Sequence, residues 1–161
     1  TVIFDDASFY MGGVIAERVR RENVPVTVVT PENVVSEWCE HTAEQYQVQK
    51  HLLELGIRIE TAHSLLAYDG REVTICCTHT GRQQSIKADA LIMVTARSPR
   101  DELYQSLKQC MEGEAQTPCR SLRRIGDCDA PAIIAAAVYA GHRYARELDT
   151  EPDSDVSVKL E

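Results

Sequence analysis

The chain has 161 residues and a mass of 18.0 kDa, which suits one domain with an ordinary core, or one domain and part of a second. Apolar residues make up 43% of it, and 17 basic against 25 acidic residues leave a formal charge of -8. No surplus of cations exists to displace the counterions of a nucleic-acid backbone, and the longest apolar stretch, near residues 130–140, is too short to cross a bilayer.

Six cysteines (Cys39, Cys76, Cys77, Cys110, Cys119, Cys128) are scattered without a CxxC pair. A chain this long with α/β periodicity needs no disulfide staples, so reduced thiols and a cytoplasmic location are expected. Cys76 and Cys77 are neighbours on an expected strand and face opposite ways. No zinc or iron–sulfur site can be built from ligands close in sequence, and His41, His51 and His63 share no ligand spacing. The start at Thr1, almost directly in a strand, and the final Leu160-Glu161 read as an excised piece.

Residues 1–30 read as strand, turn, helix and second strand. Val2 to Phe4 is a short apolar run, Met11-Gly12-Gly13 is read as a tight turn, and Val14, Ile15, Ala16 and Val19 place apolar groups along one side of a helix. The second apolar run, Val24 to Val29, follows within thirty residues, which requires a crossover helix between two parallel strands. Thr42 is the expected N-cap of the next helix, with Gln45 three residues on and Val48, Leu52 and Leu55 at helical spacing until Gly56. Gly56 to Glu60 predicts a third strand and Leu65 to Tyr68 a fourth. Asp69-Gly70 then turns the chain into Val73, Ile75 and Cys77, which alternate with polar neighbours, and the turn at Thr80-Gly81 returns it through Gln84, Ile86 and Ala88. This predicts an antiparallel meander that covers the parallel sheet.

Ala90 to Thr95 is nearly continuously apolar and is expected in the middle of the parallel sheet, covered on both faces. Glu102 to Cys110 predicts a modest helix, and residues 112–118 a polar connection that marks a domain boundary. In the last third, Leu122 to Asp127 predicts a short strand that joins the sheet, followed by a small-residue helix from near Pro131 to Leu148. Gly126 permits close backbone approach, Asp127 can accept hydrogen bonds from sugar hydroxyls, and the free N–H groups at the helix start favour phosphate. An Asp before a helix is equally at home as a cap without any ligand. The acidic tail, residues 149–161, is expected to be disordered or peripheral.

VIFDDASFYMGGVIAERV, DALIMVTARSP and RRIGDCDAPAIIAAAVYAGHRYAREL, in this order and spacing, resemble the carboxyl-terminal part of the trimethylamine, dimethylamine and histamine dehydrogenase family, relatives of 2,4-dienoyl-CoA reductase. The resemblance implies a mostly parallel, three-layer Rossmann-like α/β fold with an inserted antiparallel β-meander. Residues 1–113 would be a module like an NAD(P)H domain, inserted in an FAD-like domain of which residues 121–148 would be the closing strand and helix. The parent protein would carry FMN and a 4Fe-4S cluster in an amino-terminal barrel, and ADP or FAD in the FAD-like domain. No cofactor is expected in the present chain, and no catalytic or metal-binding residue.

Gly126, Asp127 and Cys128 would face that nucleotide, and Gly12 and Gly13 would stand at the dinucleotide fingerprint of the inserted module. The fingerprint departs from its pattern. Gly12 aligns with its third glycine, Ala7 and Phe9 with the first two, and Thr30 ends the second strand where an acidic residue would bind ribose. A phenyl ring and Asp5-Asp6 both oppose a pyrophosphate, which counts against NAD(P)H. The expected function is thus a nucleotide-domain scaffold of a flavin-dependent oxidoreductase. The alternatives are a nucleotide-free docking domain and a working NAD(P)H module feeding a flavin. Expected partners are the barrel and the other half of the FAD-like domain, a flavoprotein electron acceptor and a second copy in a homodimer.

Overall fold

A computed structural model of the chain describes residues 1–112 and 122–148. The elements run β1 (Val2–Asp5), α1 (Tyr10–Arg21), β2 (Thr27–Val29), α2 (Gln45–Glu54), β3 (Arg58–Glu60), β4 (His63–Tyr68), β5 (Glu72–Cys77), β6 (Gln83–Lys87), β7 (Leu91–Val94), α3 (Glu102–Glu112) and α4 (Ile134–Glu147). They fall into two units, Thr1–Ala96 and Arg97–Glu161.

The first unit is the three-layer α/β fold the sequence predicts. A parallel sheet in the order β3-β2-β1-β7 lies between two layers, with the antiparallel meander β4-β5-β6 as a separate sheet. All four residues of β1 are buried, so its alternation serves both faces. Ile3 packs with Ala16, Val28, Val35, Leu52 and Ile57 on the helical side. Val2 and Phe4 pack with Val29, Val73, Ile75, Ile86 and Ala88 on the meander side. Each fully buried aliphatic side chain contributes on the order of 1.5–3 kcal/mol, which makes the meander a structural layer rather than an appendage.

Several local expectations are corrected. Gly12 and Gly13 lie in the first turn of α1, not in a turn before it. Thr42 is not the cap of α2: the helix starts at Gln45, and the Thr42 hydroxyl instead bonds Cys39 O at 3.1 Å and the Glu44 carboxylate at 2.6 Å. The second strand spans only Thr27–Val29, the pyrrolidine nitrogen of Pro25 having no hydrogen to give a ladder. Strand β7 is at an edge of the sheet, paired only with β1, and Met93 is 51% exposed. Ile92 and Leu91 are only partly buried against the two clusters and Val94 alone is buried, so the expected cover on both faces is incomplete as well.

Residues 122–125 form no strand and join no sheet; they lead into a short 3-10 turn at Gly126–Cys128. A strand exists only through its ladder, and no described strand pairs with this segment. The connection at residues 113–121 and the tail at 149–161 lie outside the described residues, as does the boundary expected there. Among the described residues, no helix is long and apolar enough to cross a membrane.

Turn chemistry accounts for two other junctions. Gly56 at φ +70 stops α2, and the Arg20 guanidinium from α1 reaches across to donate to Leu55 O at 2.9 Å, a cation at the negative end of that helix. Arg20 thus caps α2, while Arg18 and Arg21 pair with Glu22 and Glu17 along α1. At the meander hairpin, Asp69 Oδ1 accepts from the N–H groups of Arg71 and Glu72 at 2.8 and 2.7 Å, which holds Gly70 at φ +94.

Candidate functional site

Open parallel sheets bind ligands beyond the carboxyl ends of their strands, where the chain order reverses. In the first unit that place lies beyond β1, between its neighbours β2 and β7. It is reached through Asp5, the last residue of β1, and the turn Asp6–Phe9 that leads into α1.

Asp5 is 2% exposed, an unusual position for a carboxyl group. Its Oδ1 accepts from the Ser8 N–H at 3.1 Å. Ser8 itself adopts φ +56, which folds the turn back over the carboxyl. Burial pushes the Asp5 acid up to about 6, against the lowering effect of the Ser8 and Ala7 N–H groups. On the other side lies Gly12. A Cβ added there would overlap Asp5 Oδ2 and come within 2.5 Å of its Cγ. Gly12 thus makes room for a side chain of its own chain.

Gly13 serves a different contact. A Cβ on it would meet Val48 Cγ1 at 3.3 Å and Leu52 Cδ1 at 3.8 Å, so the missing side chain lets α1 approach α2. Thr30, which replaces the ribose-binding acid of the fingerprint, is buried, and its Oγ1 accepts from the Glu32 N–H at 3.3 Å. The Ser8 hydroxyl reaches Glu32 Oε1 at 3.5 Å. Burial, a hydrogen bond that the protonated Glu37 carboxyl donates to Glu32, and the charges of Glu32 and Glu40 raise the Glu37 acid. The Phe9 ring stacks on Trp38 with centroids 5.4 Å apart and planes 11° from parallel, and Ser8 O accepts from the Trp38 N–H at 3.0 Å. The turn beyond β1 is therefore flanked by carboxylates and carries a stacked aromatic pair. Sequence reasoning singled out Phe9 and Asp5 but not Trp38, whose only signal is its apolar ring in a polar connection.

In the second unit, Gly126 adopts φ +63 and a Cβ there would touch Ala137 Cβ at 3.6 Å. Glycine therefore suits both the backbone conformation and the approach of α4. Asp127 is exposed, with Oδ1 accepting from the Ala132 N–H at 3.5 Å, just ahead of α4. The Cys128 thiol is held locally, donating to Ile125 O at 3.1 Å. Arg124 anchors the segment: it pairs with Asp101 at 2.6 Å and Asp129 at 3.4 Å and lies 4.9 Å from the Tyr104 ring centre. A groove of about 490 Å³ runs beside this turn, lined by Arg123, Arg124, Gly126, Ala132, Ala136 and Tyr144 among others. The small side chains of α4 leave it shallow and accessible to backbone or a flat ligand. Among the described residues, no three His, Cys, Asp or Glu side chains are grouped to hold a metal ion.

No protein-family model matches the chain. Its fold superposes on the histamine dehydrogenase of Rhizobium sp. 4-9 with a TM-score of 0.86 and 39% identity, over 96% of this chain and 24% of that one. The chain is a Rossmann-like domain homologous to the amine dehydrogenase family. A second member, the 6-hydroxypseudooxynicotine amine oxidase of Pseudomonas geniculata N1, superposes with a TM-score of 0.81 and 32% identity, over 92% of this chain and 22% of that one. The dimethylamine dehydrogenase of Hyphomicrobium sp. (strain x) is 30% identical over 99% of this chain and 24% of its own length. The chain thus spans about a quarter of the length of each amine dehydrogenase relative.

Proposed function

We propose that the chain is the nucleotide-domain scaffold of a flavin-dependent amine oxidoreductase, and that the oxidation itself takes place elsewhere in a longer protein. The observation that carries this reading is the likeness to the histamine dehydrogenase at 39% identity over 96% of the chain. Substrate oxidation in such a protein would belong to FMN, which would accept the hydride or electrons when bound, with a 4Fe-4S cluster outside the residues described above. The contribution of this chain is at Gly126, Asp127 and Cys128. The left-handed Gly126 and the exposed Asp127 carboxylate fit the backbone approach and the sugar hydroxyls of ADP or FAD. Asp127 would orient the nucleotide through its ribose, and Arg123 and Arg124 would lie beside it. The partners in this reading are the remainder of the longer protein, a flavoprotein electron acceptor and a second copy of the chain, all in the cytoplasm.

The test uses the longer protein that carries this segment. Asp127→Ala should lower its content of extractable adenine nucleotide while amine-dependent dye reduction changes by less than about twofold, because the substitution touches no reacting atom. Turnover with NADH or NADPH as electron source would overturn the reading. A nucleotide-free docking role is the second reading, and the observation that favours it is the apolar surface of the second unit, where Ile134 is 84% and Leu103 is 73% exposed.

A further inference from the structure

The first unit holds a feature that the scaffold reading does not use. Helix α1 begins without a side-chain cap at Phe9 and without an acidic residue in its first turn, so its free N–H groups and positive dipole end lack the partner that helix starts usually recruit. Asp5, at the end of β1, places a negative group against this first turn. Its carboxyl is buried, hydrogen-bonded to the Ser8 N–H and seated against Gly12 in that first turn. In a dinucleotide site a phosphate occupies this kind of place, with glycine admitting its close approach.

We propose that Asp5 is the specificity-determining residue of the first unit, an internal anion that occupies the phosphate position at α1 and closes the crevice to phosphate esters. Two arguments support this. The volume beside Gly12 is already taken, since an added Cβ there comes within 2.5 Å of Asp5 Cγ. The groups around Asp5 are also of one sign. Asp6 raises the Asp5 acid by its charge, Ser8 links the turn to Glu32, Glu37 shares a hydrogen bond with Glu32, and the Cys39 thiol is itself pushed up by burial and by the charges of Glu44 and Asp5. A phosphate arriving here would meet the charges of Asp5 and Asp6 and would have to displace a carboxyl that already holds the Ser8 N–H. Without the carboxylate, the Ser8 N–H and the start of α1 would face a small void, a suitable cradle for an anion, while the Ala7 N–H stays on Val94 O.

The closure deepens the scaffold reading and rests on it in one respect, that the first unit carries no nucleotide. The experiment is amide NMR of the 15N-labelled chain titrated with inorganic pyrophosphate, which needs none of the room taken by the Phe9 ring, and separately with ADP. Wild type, Asp5→Ala and Asp5→Ser are compared, amide dispersion reporting whether each variant folds. The expected result is that the amides of residues 7–12 stay still in wild type and shift saturably in a folded variant, a gain of about tenfold or more in affinity. Saturable shifts of these amides in wild type overturn the closure, and so do folded variants that remain silent. If neither variant folds, the wild-type titration decides alone. ADP shifts confined to residues 126–132 of wild type support the closure and also the nucleotide reading of the second unit. Silence of wild type at both places supports the closure while counting against that nucleotide reading.

Discussion

The two units are built on different principles. The first has two apolar layers, one on each side of a parallel sheet, and its buried residues include the whole of β1. The second has helices α3 and α4 without one buried residue in either, and its described contacts are arginine-centred: Arg124 with Asp101, Asp129 and Tyr104, and Arg123 with Glu147 and Tyr144. Apolar burial is the dominant favourable term in folding, whereas exposed ion pairs contribute roughly 0–1 kcal/mol each. The described residues of the first unit therefore hold an apolar core, whereas α3 and α4 of the second bury none of theirs.

Substitutions can break this contrast. The largest effect is expected for Ile75→Ala, which empties a fully buried site between the meander and the parallel sheet; denaturant unfolding should lose about 2–5 kcal/mol. A loss well under 1 kcal/mol would demote the meander to a loose cover. Next is the acid at Asp5. Its folded-state value, raised to about 6 from 3.8, means that the folded state binds the proton more tightly. Its contribution is fully present below the lower value and is lost as pH rises through the upper one. Unfolding free energy should thus fall by up to about 3 kcal/mol between pH 4 and pH 7 on this account. In Asp5→Asn that portion of the slope should vanish, a difference visible in paired denaturant series.

A smaller effect is expected for Gly12→Ala, whose methyl group collides with the Asp5 carboxyl; overpacking of this kind costs about 1–3 kcal/mol. The double variant with Asp5→Ala should recover part of that loss, and strict additivity would mean that the two residues are not in contact. The smallest effect belongs to the second unit. Ile134→Asp on α4 should change the stability of the chain by no more than about 0.5 kcal/mol, because the side chain is 84% exposed. In the longer protein the same change should be costly if this face is covered there, as a comparison of melting temperatures would register.

What the sequence disclosed follows the same division. The alternation of Val73 and Ile75, the apolar run of β1 and the spacing of Leu52 and Leu55 are local signals of faces that really are buried, and they led to the strands, the helices and the covering meander, while the three-layer arrangement was what the family resemblance implied. The errors arose where a local signal has two meanings. Gly12-Gly13 reads as a turn by composition, yet here the glycines are selected by what approaches the helix, Asp5 on one side and Val48 and Leu52 on the other. The apolar run of β7 reads as a strand covered on both faces in mid-sheet, yet only Val94 of its four residues is buried and the strand lies at an edge. The segment at 122–125 has strand-like residues without a pairing partner among the described strands, and pairing is not written in the segment itself. At the candidate sites, Gly126 was legible as a residue that permits close approach, and Ala137 does approach it, while the burial of Asp5 depends on the Ser8 turn and could not be read from an acidic pair in isolation.

The stacked aromatic pair of the first unit has an optical consequence. Trp38 is the single tryptophan of the sequence, and its ring lies against Phe9, with His41 at 5.1 Å on a tilted plane. Its emission therefore reports from one location, the outer wall of the crevice beyond β1, without a second indole to subtract. The protein carries its own probe for any event that lifts the turn over Asp5.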